Sequence, residues 1–514
     1  MTARSTKKSA RKTTKKTTKK AAKSRASKAG GRKAAGSGSA RGLKVRMYRV
    51  GFGDFFLITV PTRSGDRYIV IDCGVFKGTT GKGDIGSIEE AVEDLYQTTG
   101  GKVSLVIMTH RHADHIAGFA RAADRFRDFT VNMVWMPYWE QFNDPKESKG
   151  KKDSKSNVSP LALQTEIEQL ATQLAMQFRG RTDPEAQHAL DLLWDATGVD
   201  FNAASTGGKK LSGNALALDL LKNHFGDGGK NVKYYAAGDE PELPPELTGL
   251  TAEILGPPPK EAQNFMKLTD LKKGVGQYLD STTGDDSGAK AIPPFRPQWY
   301  ADPERDYPQK DARGYNIAYE DIRNAVDTAQ PDMLAAAAAK IDTFLNNQSL
   351  VVLFKFGGKN LLFVGDAQAG NWEHWLYRID APIKDPSKAG DLTEMSRELL
   401  QSVDFYKVGH HGSTNATPIQ VVEALSKGRA ANEFVAMCST EFGVYGNPVK
   451  GTEVPRDPLM EALGDGCALV RSDSFPIKTK SAGVIKPAKG AAAPLPKPKA
   501  GKLVQKGLYV EYTF

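Results

Sequence analysis

The chain has 514 residues, 40% of them hydrophobic, which is enough apolar content for one large core or two. Its net charge is +10 and its pI about 9.1. No apolar run reaches 18 residues and no hydrophobic signal core follows the basic start, so we expect a soluble protein that is neither embedded in a membrane nor secreted. Three cysteines without paired spacing exclude a disulfide framework. We therefore expect a cytoplasmic protein with no membrane partner.

The basic charge lies in two segments. Residues 1–42 contain 15 Lys or Arg and no acid, and residues 474–506 contain 8 Lys and no acid, which leaves 47 basic against 60 acidic residues elsewhere. Because residues 1–42 have almost no large apolar side chain, we expect a disordered tail. The tail is interpreted as a solubilising extension, a transit peptide, or a tether that binds DNA or another polyanion by counterion release. The tether would use Lys7, Lys8, Lys15, Lys16, Lys19 and Lys20.

The folded part is predicted to span residues 43–470. Residues 43–137 are typical of strands and turns with one helix after the histidine-rich loop, and a short strand is expected at 250–255. Insertions are expected at about 138–245 and 260–345. Residues 471–506 read as a linker rich in Pro, Ala and Lys, and residues 507–514 as a terminal edge strand.

One stretch concentrates metal-ligand side chains. The segment IMTHRHADHIAGF, residues 107–119, holds three of the eight histidines of the chain, directly after an apolar run. Single histidines are usually surface groups or hydrogen-bonded core residues. This cluster, however, is predicted to lie in a loop directly after a strand, and binding and catalytic residues are often found in such loops. Imidazole and carboxylate are ligands that Zn²⁺ and Mn²⁺ accept. His110 and His112 are expected to hold one ion, and Asp114 and His115 to face a second.

Four apolar runs end in a polar group. They are YIVIDCG at Asp72, SLVIMTH at the histidine loop, LLFVGDA at Asp366, and FYKVGHHGS at His410 and His411. The motif THxHxDH and the order of these groups resemble the metallo-β-lactamase superfamily. That resemblance implies an α/β fold, an αββα sandwich, here with helical and loop insertions and disordered basic tails.

A finer resemblance is to the hydrolase domain of the competence protein ComEC and its soluble relatives. It rests on VGFGDFFLI (50–58), LTAEILGPP (250–258), the stretch 346–367 and KVGHHGSTN (407–415). Three features depart from the family patterns. The interval that often supplies another histidine ligand contains only His188 and His224, which read as solvated or packed helix residues. His112 stands where ComEC relatives often have aspartate, and Asn447 where they often have histidine.

The resemblance also implies roles for single residues. One or two divalent ions, Zn or Mn, are implied; Asp366 would bridge two such metals, and Asp72 would orient a ligand. The remaining ligands would be His110, His112, Asp114, His115 and one of His410 and His411. His411 is favoured slightly as the ligand, and His410 would then bind the leaving group. Ser413 and Thr414 would hold a phosphate, although a plain tight turn explains them equally well.

The function indicated is a metal-dependent hydrolase. The resemblance and the basic tails favour a phosphodiesterase or nuclease that acts on DNA through a metal-activated hydroxide, with Asp114, His410 and His411 as catalytic residues. One alternative is a small-molecule ester or phosphoester hydrolase with the insertions as a lid over a narrow pocket. Another is a nucleic-acid-binding protein with a vestigial metal site.

Overall fold

Two β-sheets lie face to face at the centre of the molecule. The computed structural model describes residues 42–77, 87–143, 184–198, 213–267, 341–378, 392–413, 416–446, 453–474 and 495–514. The strands of these ranges are β1 (Lys44–Tyr48), β2 (Phe56–Thr62), β3 (Gly65–Ile71), β4 (Lys102–Ile107), β5 (Thr130–Pro137), β6 (Val232–Tyr235), β7 (Thr251–Gly256), β8 (Val351–Phe356), β9 (Lys359–Phe363), β10 (Phe405–Lys407), β11 (Val435–Cys438), β12 (Ala468–Arg471), β13 (Lys502–Lys506) and β14 (Tyr509–Thr513).

Apart from β13 and β14, the two sheets share one topology. The first has the order β13-β14-β1-β2-β3-β4-β5-β6 and the second β12-β11-β10-β9-β8-β7. In the first, β1, β2 and β3 are antiparallel, and β3 to β6 are parallel. In the second, β7, β8 and β9 are antiparallel, and β9 to β12 are parallel. Each half thus ends in parallel strands whose carboxyl ends point the same way.

The helices of the described residues are α1 (Ile88–Thr99), α2 (Ala113–Arg121), α3 (Ala123–Phe126), α4 (Pro184–Thr197), α5 (Gly213–Asp219), α6 (341–346), α7 (Ala369–Tyr377), α8 (Glu394–Gln401), α9 (Ile419–Ser426) and α10 (Asp457–Gly466). Most of them cover the outer faces of the sheets, whereas α4 and α6 share a small separate core. A π-helical turn (Leu220–His224) and a helical turn (Phe225–Gly229) follow α5, and 3₁₀ turns lie at Tyr138–Asn143, Lys260–Lys267 and Gly409–Gly412.

Three apolar cores define the four layers. The central core takes side chains from both sheets, such as Ile58 and Trp135 from the first and Phe354 and Phe363 from the second. A second core joins the first sheet to α1 and α2, and a third joins the second sheet to α7, α8, α9 and α10. Because each sheet is covered on both faces, the fold is the αββα sandwich that the resemblance implied.

Two local expectations need correction. The prediction of strands and turns up to residue 137 missed α1, although Ser87 caps it by accepting a hydrogen bond from the Glu90 amide and Gly100 ends it in a left-handed conformation. Residues 507–514 were expected at a sheet edge, but β14 pairs with both β1 and β13. The edge position belongs to β13, which lies inside the expected linker.

In the described part of the chain, no helix combines the length and the apolar character needed to span a membrane.

Candidate metal centre

The predicted site residues follow the carboxyl ends of four strands. Asp72 follows β3, the histidine loop follows β4, Asp366 follows β9, and His410 and His411 follow β10. All of these side chains are buried, and His410, at 8%, is the most exposed. Since β3 and β4 are neighbours in one sheet and β9 and β10 in the other, the site lies where the two sheets meet at one edge.

A first group of four side chains has the spacing of a metal site. His110, Asp114, His115 and Asp366 each offer one ligand atom, and these atoms lie within 4.8 Å of one another. His115 Nε2 lies 3.0 Å from Asp366 Oδ2 and 3.7 Å from Asp114 Oδ1. Ligands about 2.0–2.2 Å from a common ion are separated by such distances.

A second group shares one member with the first. His112, Asp114 and Asp195 also offer ligand atoms within 4.8 Å of one another. His112 Nδ1 lies 3.6 Å from Asp195 Oδ2, and Asp195 comes from α4, in the first insertion. Asp114 therefore stands between two sets of ligands.

The polar atoms of these groups fit a bound cation. Protein interiors seldom leave buried polar atoms without hydrogen bonds, because an unsatisfied group costs about 1–3 kcal/mol. Several buried atoms of the site have no hydrogen-bond partner among the described residues: His110 Nε2, Asp114 Oδ1, His115 Nε2 and Asp366 Oδ2. Imidazole nitrogens and carboxylate oxygens are ligands of Zn²⁺ and Mn²⁺, so a divalent ion would satisfy them.

Asp72 orients His115. Its Oδ2 lies 2.7 Å from His115 Nδ1 and accepts a hydrogen bond from Thr109 Oγ1 at 2.6 Å, and its Oδ1 accepts one from the Thr109 amide at 2.7 Å. We assign the proton to His115 Nδ1, since a carboxylate can only accept. When an ion displaces the second proton, this tautomer directs the lone pair of Nε2 at the first group.

His411 is held in the same manner by a carbonyl. Its Nδ1 donates to the Ser439 oxygen at 2.8 Å, while Nε2 lies 3.0 Å from Asp114 Oδ2 and 3.6 Å from Asp366 Oδ2. His410 is placed differently, with Nε2 3.9 Å from Asp366 Oδ2 and Nδ1 3.3 Å from Gln368 Nε2. His411 lies outside the four-residue group but closer to its carboxylates than His410.

Burial and neighbouring charges divide the histidines into two classes. Burial holds the pKa of His110 well below its usual value and lowers the pKa of His112 to about 4, so both rings are neutral at pH 7. Burial opposes protonation of His115 and His411 too, but nearby carboxylates, Asp366 first, outweigh it and raise both pKa values. Without an ion, protons on these two rings balance the carboxylates, and a cation would displace them.

Lys407 and Asp54 form an ion pair next to the candidate metal ligands. Lys407 at the end of β10 forms a buried ion pair with Asp54 and lies 3.4 Å from Asp366 Oδ1. Asp54 also lies 3.7 Å from His115 Nδ1 and forms a further acidic cluster with Asp72 and His115. The carboxylate of Asp54 is already paired with Lys407, and that of Asp72 already accepts hydrogen bonds. We therefore interpret this cluster as one that positions the ligands and does not itself bind an ion.

The backbone at the site is strained at three residues that follow strands. Asp72, His410 and His411 have φ angles of 54°, 45° and 53°, in the left-handed region that side chains other than Gly rarely adopt. Gly74 has a different role, because a Cβ there would lie 2.0 Å from the carbonyl carbon and oxygen of Asp114. Only glycine lets the chain after β3 pass so close to the start of α2.

Arg111, which lies between His110 and His112 in the sequence, is held in place by a buried ion pair. Its guanidinium donates to both carboxylate oxygens of Glu140 at 2.8 and 2.9 Å, and Lys222 Nζ donates to Glu140 Oε2 at 2.9 Å. Glu140 is fully buried, and although burial opposes ionisation, the two cations lower its pKa to about 2. The loop that carries His110 and His112 is thereby tied to the 3₁₀ turn after β5.

Several predicted residues lie elsewhere. The amide of Ser413 donates to the His410 oxygen at 2.8 Å, which is a turn contact. Thr414, Asn447 and the six tether lysines, together with the remainder of residues 1–41, lie outside the described residues. His188 and His224 are exposed and belong to neither ligand group.

Four residues at the site escaped the sequence reasoning. Lys407 and Asp54 lie inside the quoted blocks KVGHHGSTN and VGFGDFFLI, so their strand-end positions were a usable signal. Asp195 and Asp342 lie in insertions, and nothing in the spacing of α4 or α6 connects them with the histidine loop. Only the tertiary structure brings them to His112.

The comparison with protein families agrees with this geometry. Residues 48–168 match the family model described as the metallo-beta-lactamase superfamily. No curated protein matches the chain. The chain thus carries a metallo-β-lactamase superfamily domain, whose members are generally hydrolases and typically bind divalent metals, and it has His/Asp groups suited to such ions.

Proposed function

We propose that this metallo-β-lactamase-superfamily domain is a metal-dependent phosphodiesterase or nuclease that acts on DNA, similar to the soluble relatives of the ComEC hydrolase domain. The observation that carries the proposal is the shared position of Asp114, which belongs to both ligand groups. Two ions held a few ångströms apart suit the displacement at a phosphodiester, in which an attacking and a leaving oxygen must both be stabilised. The ligand set contains nitrogen and oxygen but no sulfur, which fits Zn²⁺ or Mn²⁺.

The proposed metal-binding residues have different roles. Bound ions would act as Lewis acids and lower the pKa of a bound water towards about 7. His110 and His112 offer neutral rings because burial keeps their pKa values low. Asp72 and the Ser439 carbonyl fix the ring orientation of His115 and His411. Asp366 Oδ2 lies 3.0 Å from His115 Nε2 and 3.6 Å from His411 Nε2, so Asp366 would hold the first ion, whereas Asp114 is the carboxylate that the two groups share.

His410 suits a role at the leaving group. It is the most exposed histidine of the site, and its amide donates to Asp366 Oδ1 at 3.1 Å, which holds the loop beside the metal centre. The ring would donate a proton to a departing oxygen while His411 completes the ligands. The following residues, Ser413 and Thr414, are the proposed phosphate contacts.

The DNA partner is proposed from charge. Residues 1–42 carry 15 Lys or Arg and no acid, whereas the rest of the chain outside the two basic segments is acidic on balance. A lysine-rich segment binds polyanions by releasing counterions, without reading sequence. We propose that the tail holds the enzyme on DNA and that the folded domain cuts.

One observation favours a second candidate, a small-molecule ester or phosphoester hydrolase. Phe52 packs on His411 with ring centroids 4.3 Å apart and stacks on Tyr445 at 5.3 Å. Phe76 contacts both Phe52 and Tyr445, and Trp194 of α4 contacts Phe76. This apolar cluster beside His411 would suit a small apolar ester more than a DNA duplex.

The test is cleavage of supercoiled plasmid and of bis-p-nitrophenyl phosphate with added Mn²⁺ or Zn²⁺, together with metal analysis of the protein. We expect both substrates to be cleaved by the wild type and neither by Asp114→Ala. Asp191→Asn is the matched control, because Asp191 lies on α4 in a part-exposed pair with Lys77. Turnover of the small ester alone favours the second candidate. A metal-free, inactive wild type would overturn the proposal and leave a nucleic-acid-binding protein with a vestigial site.

A further inference from the structure

His112 faces carboxylates from two elements outside the strand framework. Its Nδ1 lies 3.6 Å from Asp195 Oδ2, on α4, and its Nε2 lies 3.9 Å from Asp342 Oδ1, on α6. Asp195 is 4% exposed and Asp342 8% exposed. Both elements belong to the segments that interrupt the two halves of the sandwich.

We propose that Asp195 is a ligand of the ion held by His112 and Asp114, and that Asp342 is a positioning residue that orients the His112 ring. The inference deepens the proposed function, because it assumes the same metal centre and names the group that completes its second ion position. The insertion around α4 then contributes directly to the chemistry.

Charge supports this assignment. Asp114, Asp195 and Asp342 bring three carboxylates close to a neutral imidazole inside the protein. Among the described residues, no lysine or arginine forms an ion pair with Asp195 or Asp342. Burying uncompensated charge is costly unless the group is paired or binds a metal, and a divalent cation at this point supplies the compensation.

Unsatisfied atoms give an independent indication. Asp114 Oδ1 is buried and has no hydrogen-bond partner within the described ranges, as expected of an atom that binds an ion, and His112 Nε2 has none either. If Nδ1 of His112 binds the ion, Nε2 carries a proton, and Asp342 Oδ1 is the carboxylate nearest to it. Carboxylates commonly fix metal-bound histidines in this way.

Asp195 is positioned for ligation before any ion arrives. Its Oδ1 accepts a hydrogen bond from the Asp114 amide at 3.0 Å, which leaves Oδ2 towards His112. Asn214 Nδ2 donates to the carbonyl oxygens of Asp195 at 3.0 Å and of Arg111 at 2.9 Å. These contacts join the end of α4 to the histidine loop. Asp195 would therefore lose little conformational freedom when it binds an ion.

Asp342 is held in place by a hydrogen bond within α6. Asn346 Nδ2 donates to its Oδ2 at 3.0 Å, one turn along α6, and Oδ1 remains directed at the His112 ring. A carboxylate fixed in this way can hold a ring tautomer without binding the ion itself.

The experiment measures metal stoichiometry and Mn²⁺ electron paramagnetic resonance on the full-length protein. The variants are Asp195→Asn, Asp342→Asn and the control Asp191→Asn. Asparagine at 195 keeps an oxygen for the Asp114 amide, so the fold without metal should be preserved, as checked by the melting temperature in EDTA. The wild type should bind two ions per chain with an exchange-coupled spectrum, since the ions of two-metal sites lie about 3.5–4 Å apart.

We expect Asp195→Asn to bind one ion with an uncoupled spectrum. Asp342→Asn should keep both ions at saturation but bind the weaker one about 10- to 100-fold less tightly, as for other residues that orient ligands. Asp191→Asn should match the wild type.

The outcomes separate the two proposals. A wild type that binds no metal overturns both the inference and the proposed function. A wild type with two coupled ions and an Asp195→Asn variant with the same two overturns only the inference. The inference also fails if the wild type binds a single ion, or if Asp191→Asn loses one as Asp195→Asn does.

Discussion

Lys407 and Asp54 form an ion pair in which each side chain is only 2% exposed. Asp54 lies between β1 and β2 of the first sheet, whereas Lys407 ends β10 of the second, so the pair joins the two halves of the sandwich. Lys407 also donates to the Gly365 oxygen at 2.9 Å, next to Asp366. Burial opposes its charge, but Asp54 and Asp366 outweigh that effect and raise the pKa of Lys407 above its ordinary value.

Replacing Lys407 should therefore destabilise the whole domain. Lys407→Met leaves two carboxylates buried without their cation, and breaking a buried pair costs about 3–5 kcal/mol. Urea unfolding in EDTA measures the change in the free energy of unfolding. Lys359→Met is the control, because its pair with Asp404 is part-exposed and worth about 0–1 kcal/mol. Equal losses in the two variants would contradict this account of the pair.

Glu140 should give the domain a specific sensitivity to acid. Its folded pKa of about 2 lies below the ordinary value of 4.5, so its stabilisation is present above about pH 4.5 and is lost as the pH falls towards 2. The shift corresponds to about 3 kcal/mol. The free energy of unfolding, measured from pH 6 to pH 2.5, should fall less steeply in Glu140→Gln than in the wild type. Glu253→Gln, which removes an exposed partner of Lys355, should leave the slope unchanged.

The neighbouring histidines should have separable effects. His411→Asn removes the ring whose Nε2 faces Asp114 and Asp366, so the metal affinity should fall by more than about 100-fold, beyond the loss typical of orienting residues. His410→Asn should keep the metal content and lower turnover, with a larger loss for poor leaving groups. Metal titration and turnover of phosphodiesters with graded leaving groups test both. The reverse pattern would exchange the two assignments.

Gly74 should tolerate no side chain. Gly74→Ala would place Cβ against the Asp114 carbonyl, so the start of α2 must move and both stability and metal binding should decrease. Gly464→Ala is the contrasting change, because α10 leaves open space around that position. Alanine there should stabilise the protein by about 0.5–1 kcal/mol. Melting temperatures and metal titrations of the two variants give the comparison.

The basic tail should affect DNA binding but not the chemistry. Deleting residues 1–42 removes 15 cationic side chains, so the dependence of log K on log salt for DNA should become shallower. Turnover of bis-p-nitrophenyl phosphate should be unchanged. If the truncated protein binds DNA as tightly as the full chain at every salt concentration, the tail is no tether.

The sequence predicted the parts of the site that follow strands. Apolar runs that end in Asp72, Asp366 and the two histidine segments were sufficient, because parallel strands deliver their carboxyl ends to one edge. Asp195 gave no such signal, since an aspartate in an amphipathic helix reads as a solvated residue. Its contact with the Asp114 amide spans 81 positions and depends on how an insertion packs.

The terminal strand was also only half predicted. Alternation in residues 507–514 indicated a strand, but hydropathy does not give its neighbours. The register of β14 on β1 is supported by Arg46, which donates to Glu511 Oε2 at 3.0 and 2.7 Å and stacks over the Tyr509 ring. The contacts of Arg46 with Glu511 and Tyr509 cannot be predicted before the pairing of β1 with β14 is known.

That pairing has a consequence for folding kinetics. Arg46 and Glu511 are 465 positions apart, and the pair His411 and Asp114 is 297 positions apart, so the sheet and the metal centre both depend on closing very long loops. Loop closure of this kind slows folding because its entropy must be lost before the contacts form. We expect metal uptake after dilution from denaturant to lag behind helix formation. Substitutions that weaken the β1 and β14 pairing would then delay recovery of the metal centre without altering any ligand.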